Sequence, residues 1–327
     1  MIDHPPPTRR QFLRHAGAAG AAFACAPAVG RSAPAEEAAV PVIDTHQHLW
    51  DLKRFRLPWL DGAGEVLNRD YLMADYLKAA EGLNVVRAVY MEVAVTPDQR
   101  PAEADYVTDL CRRGGTPTVA AVIGGSPAAD DFPAYINRFK ASPHVKGVRE
   151  SLRPGSAADK QFLSGIRRLG ELGLSFDLLH GPDLLTEAAA VAKACPGTRF
   201  ILDHCGNADP RHFRAASNAD ARRQRRTWED GIAALAEHSN VVCKISGVME
   251  AAGGDKVTAD DVAPVVNHCL ERFGPDRVIF ASNWPVCNRN GSFASWLSLL
   301  QEILRTRTPE SRRKLFHDNA MRIYSIV

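Results

Sequence analysis

Two histidines one residue apart close the first apolar run of the chain, Val42-Ile-Asp-Thr-His-Gln-His-Leu-Trp50. On extended backbone, residues i and i+2 face the same side, so His46 and His48 present their imidazoles together. Such a pair can hold a metal ion or act as an acid and a base. A His-x-His pair also occurs as two unrelated surface histidines, so its meaning depends on what else the chain brings to the same place. Other apolar runs end in chemically useful groups: Glu92, Arg149 with Glu150, His180, His204, Lys244 with Ser246, and Asn283 with Trp284. A carboxylate or imidazole can move a proton, and a guanidinium or ammonium can steady a developing anion.

The elements that must position these groups are eight β-rich runs. They begin at Val42, Val85, Thr118, Val145, Leu174, Arg199, Val241 and Arg277 and end at or just before the groups named above, the third closing on Gly124. Between them lie amphipathic stretches. In 102–113 the apolar residues Ala104, Val107, Leu110 and Cys111 recur at helical spacing, and in 161–172 Phe162, Ile166 and Leu169 do the same. Segments 182–194, 228–237, 259–273 and 293–305 complete the set. Strands with near-continuous apolar character alternating with helices predict a parallel sheet, and eight such units predict a (β/α)8 TIM barrel. An open doubly wound sheet would carry Gly-x-Gly-x-x-Gly after the first strand, and this chain does not. In a barrel the C-terminal strand ends share one rim, where active sites lie. Singly, His180 reads equally as a loop histidine, Glu92 and Glu150 as solvated carboxylates, and Lys244 as a side chain reaching for solvent. Their convergence on one rim argues for a site. Trp50 and Trp284 stand at the rim as candidate pocket walls. Phe55, Leu57, Trp59 and Leu60 form an apolar loop that is either a lid or packing. Arg222-Arg-Gln-Arg-Arg226 reads as a solvated face.

The 327 residues are 45% hydrophobic, enough for a large core, and a formal net charge of +2 gives no field to recruit nucleic acid. Residues 1–35 read as a leader and 36–327 as a single barrel domain. Arg9, Arg10, Phe12 and Leu13 precede a small-residue apolar stretch, then Ala-Pro-Ala occurs twice, at Ala26–Ala28 and Ala33–Ala35. This is the pattern of a twin-arginine export signal and predicts a periplasmic or exported protein with no stable membrane insertion after cleavage. Six cysteines follow the leader without Cys-x-x-Cys spacing, which excludes zinc-ribbon and dithiol redox motifs.

Four motifs, Asp44-Thr-His-Gln-His-Leu-Trp50, Leu202-Asp-His-Cys-Gly206, Val242-Cys-Lys-Ile-Ser-Gly247 and Phe280-Ala-Ser-Asn-Trp-Pro-Val-Cys287, together resemble the amidohydrolase-related family, in particular its sugar-lactonase branch. Pro58-Trp-Leu60, Arg69-Asp-Tyr71 and Phe176-Asp-Leu178 fit the same branch, and the resemblance spans residues 42–324. It implies a metal-dependent-hydrolase-like barrel that hydrolyses the carboxylic ester of a small lactone. His46, His48, His204, Glu92 and Asn283 are then the catalytic candidates, with Arg149, Lys244, His180, Trp284 and Trp50 against the substrate. It further implies at most one divalent cation, zinc or manganese, on His46, His48 and His204. Members differ in whether they need one, so a metal-independent site is the other reading. No lysine stands where a carbamylated bridging ligand would, which argues against two metals.

One position departs from the resemblance. The motif that ends the eighth strand usually carries Asp, the expected base for water, and here it carries Asn283. An amide does not accept a proton as a general base. The replacement candidates are Glu92, His180 and His204. Two other readings tolerate the amide: a lactone isomerase or metal-dependent decarboxylase on the same barrel, and a non-catalytic sugar-acid-binding protein. All three take a small molecule, and none defines an oligomeric state.

Overall fold

The computed structural model describes residues 1–2, 40–214, 217–253 and 256–326. The leader and its cleavage motifs lie outside these, apart from Met1 and Ile2. Eight strands form one sheet in sequence order: β1 (Val42–Gln47), β2 (Val85–Met91), β3 (Thr118–Gly124), β4 (Val145–Ser151), β5 (Ser175–Leu179), β6 (Arg199–Leu202), β7 (Val241–Ile245) and β8 (Val278–Phe280). Every adjacent pair is parallel. The last strand returns to the first. Gln47 bridges Trp284 in parallel, His48 N donates to Trp284 O at 2.8 Å, and Thr45 Oγ1 donates to Phe280 O at 2.7 Å. The expected TIM barrel is therefore present.

The strands are apolar on both faces because both are covered. Ile43, Val89, Met91, Val122, Ile201, Val242 and Ile279 form one buried cluster, and Ile323 and Tyr324 pack on it. The C-terminal helix Asn319–Tyr324 is tied to the barrel by the Asn319 amide, which donates to Pro275 O and Val278 O, each at 2.8 Å. Outside the strands, helix Lys160–Glu171 is typical. Asp159 caps it, accepting from the backbone N–H groups of Gln161 and Phe162, and Phe162, Leu163, Ile166 and Leu169 are buried. On that helix Gly165 lies so near Pro127 that a Cβ would stand 2.2 Å from its carbonyl oxygen.

The differences from the sequence reading lie mostly at element ends. β6 stops at Leu202 and β8 at Phe280, so His204 and Asn283 stand on the loops that follow. Both have left-handed backbone, with φ of 55° at each. The run Arg222–Arg226 lies inside the longer helix Ala219–Ala236, whose buried side is Trp228, Gly231, Ile232 and Leu235. Among the described residues no helix is long and apolar enough to cross a membrane.

Candidate active site

At the C-terminal ends of the strands His48, Arg149, His204 and Asn283 line one cavity of about 470 Å³. Trp59, Glu250 and Arg289 line it too, and the Trp59 indole donates to Val93 O at 2.8 Å. The apolar loop after β1 thus contributes a wall through Trp59, while Phe55, Leu57 and Leu60 are buried.

The histidines are wired from below. His48 Nδ1 lies 3.0 Å from Met91 O; because a carbonyl only accepts, Nδ1 carries the proton and Nε2 keeps its lone pair. That lone pair faces His46 Nε2 at 3.1 Å. His46 Nδ1 lies 3.5 Å from Asp203 Oδ1 and 3.4 Å from Lys244 Nζ. His204 Nδ1 is 2.9 Å from Ser246 Oγ. Burial drives His46 and His48 well below the ordinary histidine range, and the nearby cations Lys244 and Arg149 respectively add to this. Burial also lowers His204, to about 4. At neutral pH all three rings are therefore neutral donors of lone pairs.

A buried ionic lattice holds the floor. Arg149 is clamped by Glu92, its Nε donating to Oε1 at 2.6 Å and its Nη2 to the Glu92 carbonyl at 2.7 Å. Its Nη1 is left 3.4 Å from His46 Nε2 and 3.5 Å from Asp203 Oδ2. Lys244 is wholly buried, 2.6 Å from Asp177 Oδ2 and 2.9 Å from Asp203 Oδ1, so it does not reach for solvent. Burial pushes Asp203 up, but Lys244 and His46 outweigh it and leave it well below the usual carboxylate range. Burial raises Asp177 to about 6, against the pull of Lys244.

Not every rim residue meets the cavity. Trp50 is buried edge-on against Tyr71 and Trp59, and its indole donates to Arg69 O at 2.6 Å. Trp284 packs on Tyr71 and Tyr76. Both build the wall behind the site. His180 turns Nδ1 to Gly181 O at 2.9 Å, and its buried Nε2 has no hydrogen-bond partner among the described residues. Glu92 uses one oxygen on Arg149 and the other on Ala94 N, at 2.7 Å. Glu150 is drawn to Ser126 and Arg100, away from the histidines. Sequence reasoning missed Asp177, Asp203 and Glu250. For Asp177 a signal existed: an Asp and a Lys set inside otherwise apolar strands, Phe176-Asp-Leu178 and Val242-Cys-Lys-Ile245, must find each other or pay heavily for burial. Glu250 follows β7 on the short helix Val248–Ala252 and carries no such signature.

The fold is that of a known class. The amidohydrolase family model matches residues 43–326. The L-fucono-1,5-lactonases of Burkholderia ambifaria and Burkholderia multivorans are 28% and 27% identical, each alignment covering 87% of this chain and 95% and 96% of the relatives. A crystal structure of an amidohydrolase from Burkholderia multivorans with bound zinc aligns over 88% of this chain and all of that one, with a TM-score of 0.75 at 23% identity, a likeness of fold. The chain belongs to the amidohydrolase family. It is a hydrolase.

Proposed function

We propose that this hydrolase opens the ring of a small sugar-derived lactone by attack of water on the ester carbonyl. The observation that carries the reading is Arg149, fixed by two contacts to Glu92, lining a cavity whose other walls include the neutral imidazoles of His48 and His204. Attack of water on a lactone carbonyl creates an oxyanion, and a guanidinium locked in place before the reaction stabilises it without reorganising. His48 and His204, neutral and buried, can orient the water and the ring oxygen without carrying charge into the site. The relatedness to L-fucono-1,5-lactonases supports a lactone as the substrate class.

The residues fit one divalent cation. Two imidazole nitrogens on one tetrahedral zinc stand about 3.3 Å apart, given Zn–N bonds of about 2.0–2.1 Å. His46 Nε2 and His48 Nε2 stand 3.1 Å apart, and ligand atoms of Asp203 and His204 lie within 4.8 Å of a nitrogen of His46. His46, His48 and His204, with Asp203, would hold it. Such an ion, when bound, polarises the carbonyl and acidifies water. Arg149 and Lys244 press on the same group and oppose its binding, so the cation must compete with charges already present.

A panel of five- and six-membered sugar lactones, followed by release of acid in water enriched in heavy oxygen, tests the proposal. One solvent oxygen in the carboxylate of the product supports hydrolysis. An unlabelled, rearranged lactone points to isomerisation, and binding without turnover to a capture protein. For the leader we propose export through the twin-arginine route, on the strength of Arg9, Arg10 and the Ala-Pro-Ala sites. Fractionation of cells carrying the full chain and its Arg9→Lys/Arg10→Lys variant tests it; equal exported amounts would refute it.

A further inference from the structure

Asn283 occupies the position where the resemblance places a base, and its amide does something specific. Its Nδ2 donates to Glu250 Oε1 at 2.8 Å. Glu250 comes from a different element, the helix that follows β7. Gly247, at φ 71°, lets that helix close over the site: a Cβ there would sit 2.5 Å from the Cβ of His204. Glu250 and Asn283 thereby line the same cavity as His48, Arg149 and His204.

We propose that Glu250 is the general base of the reaction, with Asn283 as the residue that positions it. The proposal rests on the lactone-hydrolysis reading. Among the other proton acceptors at the rim, His180 keeps its Nε2 outside the lining of this cavity, and the rest are engaged elsewhere. Both oxygens of Glu92 are taken by Arg149 and Ala94 N, Asp203 is paired with Lys244 at 2.9 Å, and His204 turns Nδ1 to Ser246 Oγ at 2.9 Å. The carboxyl of Glu250 instead faces an amide. Burial raises it to about 7, against its own backbone N–H and Asn283, and this suits a base working near neutral pH. The charged and titratable groups around it are Arg289, which favours its ionised form, and Cys205, which disfavours it, with Cys287 from the loop after β8 and His204 across the cavity.

In the first half-reaction the carboxylate of Glu250 takes a proton from water as the water oxygen bonds to the carbonyl carbon, and the carbonyl π pair moves onto oxygen beside Arg149. In the second, that pair re-forms the carbonyl, the ring C–O bond breaks, and the proton on Glu250 passes to the departing alkoxide. Lactone and water become one hydroxy acid, and Glu250 is restored. Asn283 in place of an acid has a clear electrostatic consequence. A second carboxylate at hydrogen-bond distance would compete for the same proton and hold Glu250 protonated, whereas an amide leaves it free to ionise.

The experiment is a pH profile of kcat/KM on a hydrolysed lactone, for the wild type, Glu250→Gln, Glu250→Asp and Asn283→Asp, with calorimetric binding of the product acid to each. The wild type should lose activity on the acid side with a midpoint close to that carboxyl's own titration. Glu250→Gln should lower kcat by roughly 10²–10⁴-fold and abolish that limb, while product binding changes by no more than about threefold. Glu250→Asp should keep the limb at reduced kcat. Asn283→Asp should move it to higher pH. A Glu250→Gln enzyme within about threefold of wild type, a wild-type profile with no acid limb, or an Asn283→Asp profile that does not move overturns the assignment. Were Glu250→Gln not to fold, the wild-type and Asn283→Asp profiles would still decide it. No lactone turnover by the wild type overturns both readings, whereas turnover with an unimpaired Glu250→Gln overturns this one alone.

Discussion

Lys244 Nζ lies 2.6 Å from Asp177 Oδ2 with neither side chain reaching solvent, and Asp203 approaches the same ammonium at 2.9 Å. The pair joins β7 to β5 beneath the histidines. Removing one partner strands a buried charge, which typically costs about 3–5 kcal/mol. Lys244→Met is expected to destabilise the barrel by about that much in urea titrations. Combining it with Asp177→Asn should recover part of the loss, because the second change removes a charge the first left unpaired. A double variant as unstable as the sum of the singles would mean the two residues act separately.

Arg149 differs from Lys244 in that one edge faces the cavity. Arg149→Ala is expected to cut kcat/KM by about 10²–10³-fold, the usual cost of an oxyanion donor. Arg149→Lys should recover little, since a single ammonium cannot hold both the carboxylate and the carbonyl of Glu92 and still present a donor to the cavity. Activity preserved in Arg149→Ala would reduce this residue to scaffolding for Glu92.

Whether a cation belongs to the His46–His48 pair is decided by elemental analysis of purified protein before and after chelation, with activity followed in parallel. One zinc or manganese per chain, lost together with activity and absent from His48→Ala, is the result expected if the pair holds it. Full activity in metal-free protein would assign the work to Arg149, the neutral histidines and Glu250.

Glu103 supplies a pH prediction independent of catalysis. It is buried behind β2, and its Oε1 accepts from Tyr90 Oη at 2.9 Å and from Val93 N at 2.7 Å. Burial, then the nearby Glu92, raises its pKa from 4.5 to about 8. The folded state therefore keeps a proton that the unfolded chain releases. The stability so gained is complete below the unfolded pKa and is lost as pH rises through the folded one. The wild-type Tm should fall between about pH 5 and about pH 9, and Glu103→Gln, which keeps the acceptor oxygen, should flatten that fall by a few degrees. Parallel Tm curves for the two proteins would rule out a proton held at this position.

Much of this was legible in the chain. The eight apolar runs fixed the barrel because parallel strands covered on both faces are mostly apolar, and the groups at or just past their ends had to share a rim. Arg149, His46, His48 and His204 meet for that reason. What stayed hidden follows from the third dimension. Trp50 and Trp284 read as pocket walls from their place at strand ends, but the aromatic rings of Tyr71 and Tyr76, remote in sequence, draw them into the wall behind the cavity. His180 follows a strand yet bonds to its own neighbour's carbonyl. Glu250 sits on no strand, and only the glycine turn at Gly247, which lets the helix press against His204, carries it to Asn283.

The left-handed backbone at position 283 has a consequence for how such a site can change. Asparagine and aspartate are the side chains, after glycine, that settle most readily at a φ of 55°. The two also share one shape. A single substitution there trades an acid for its amide while the loop and its neighbours stay where they are. Charge at the mouth of the barrel is thus adjustable by one side chain without touching the architecture.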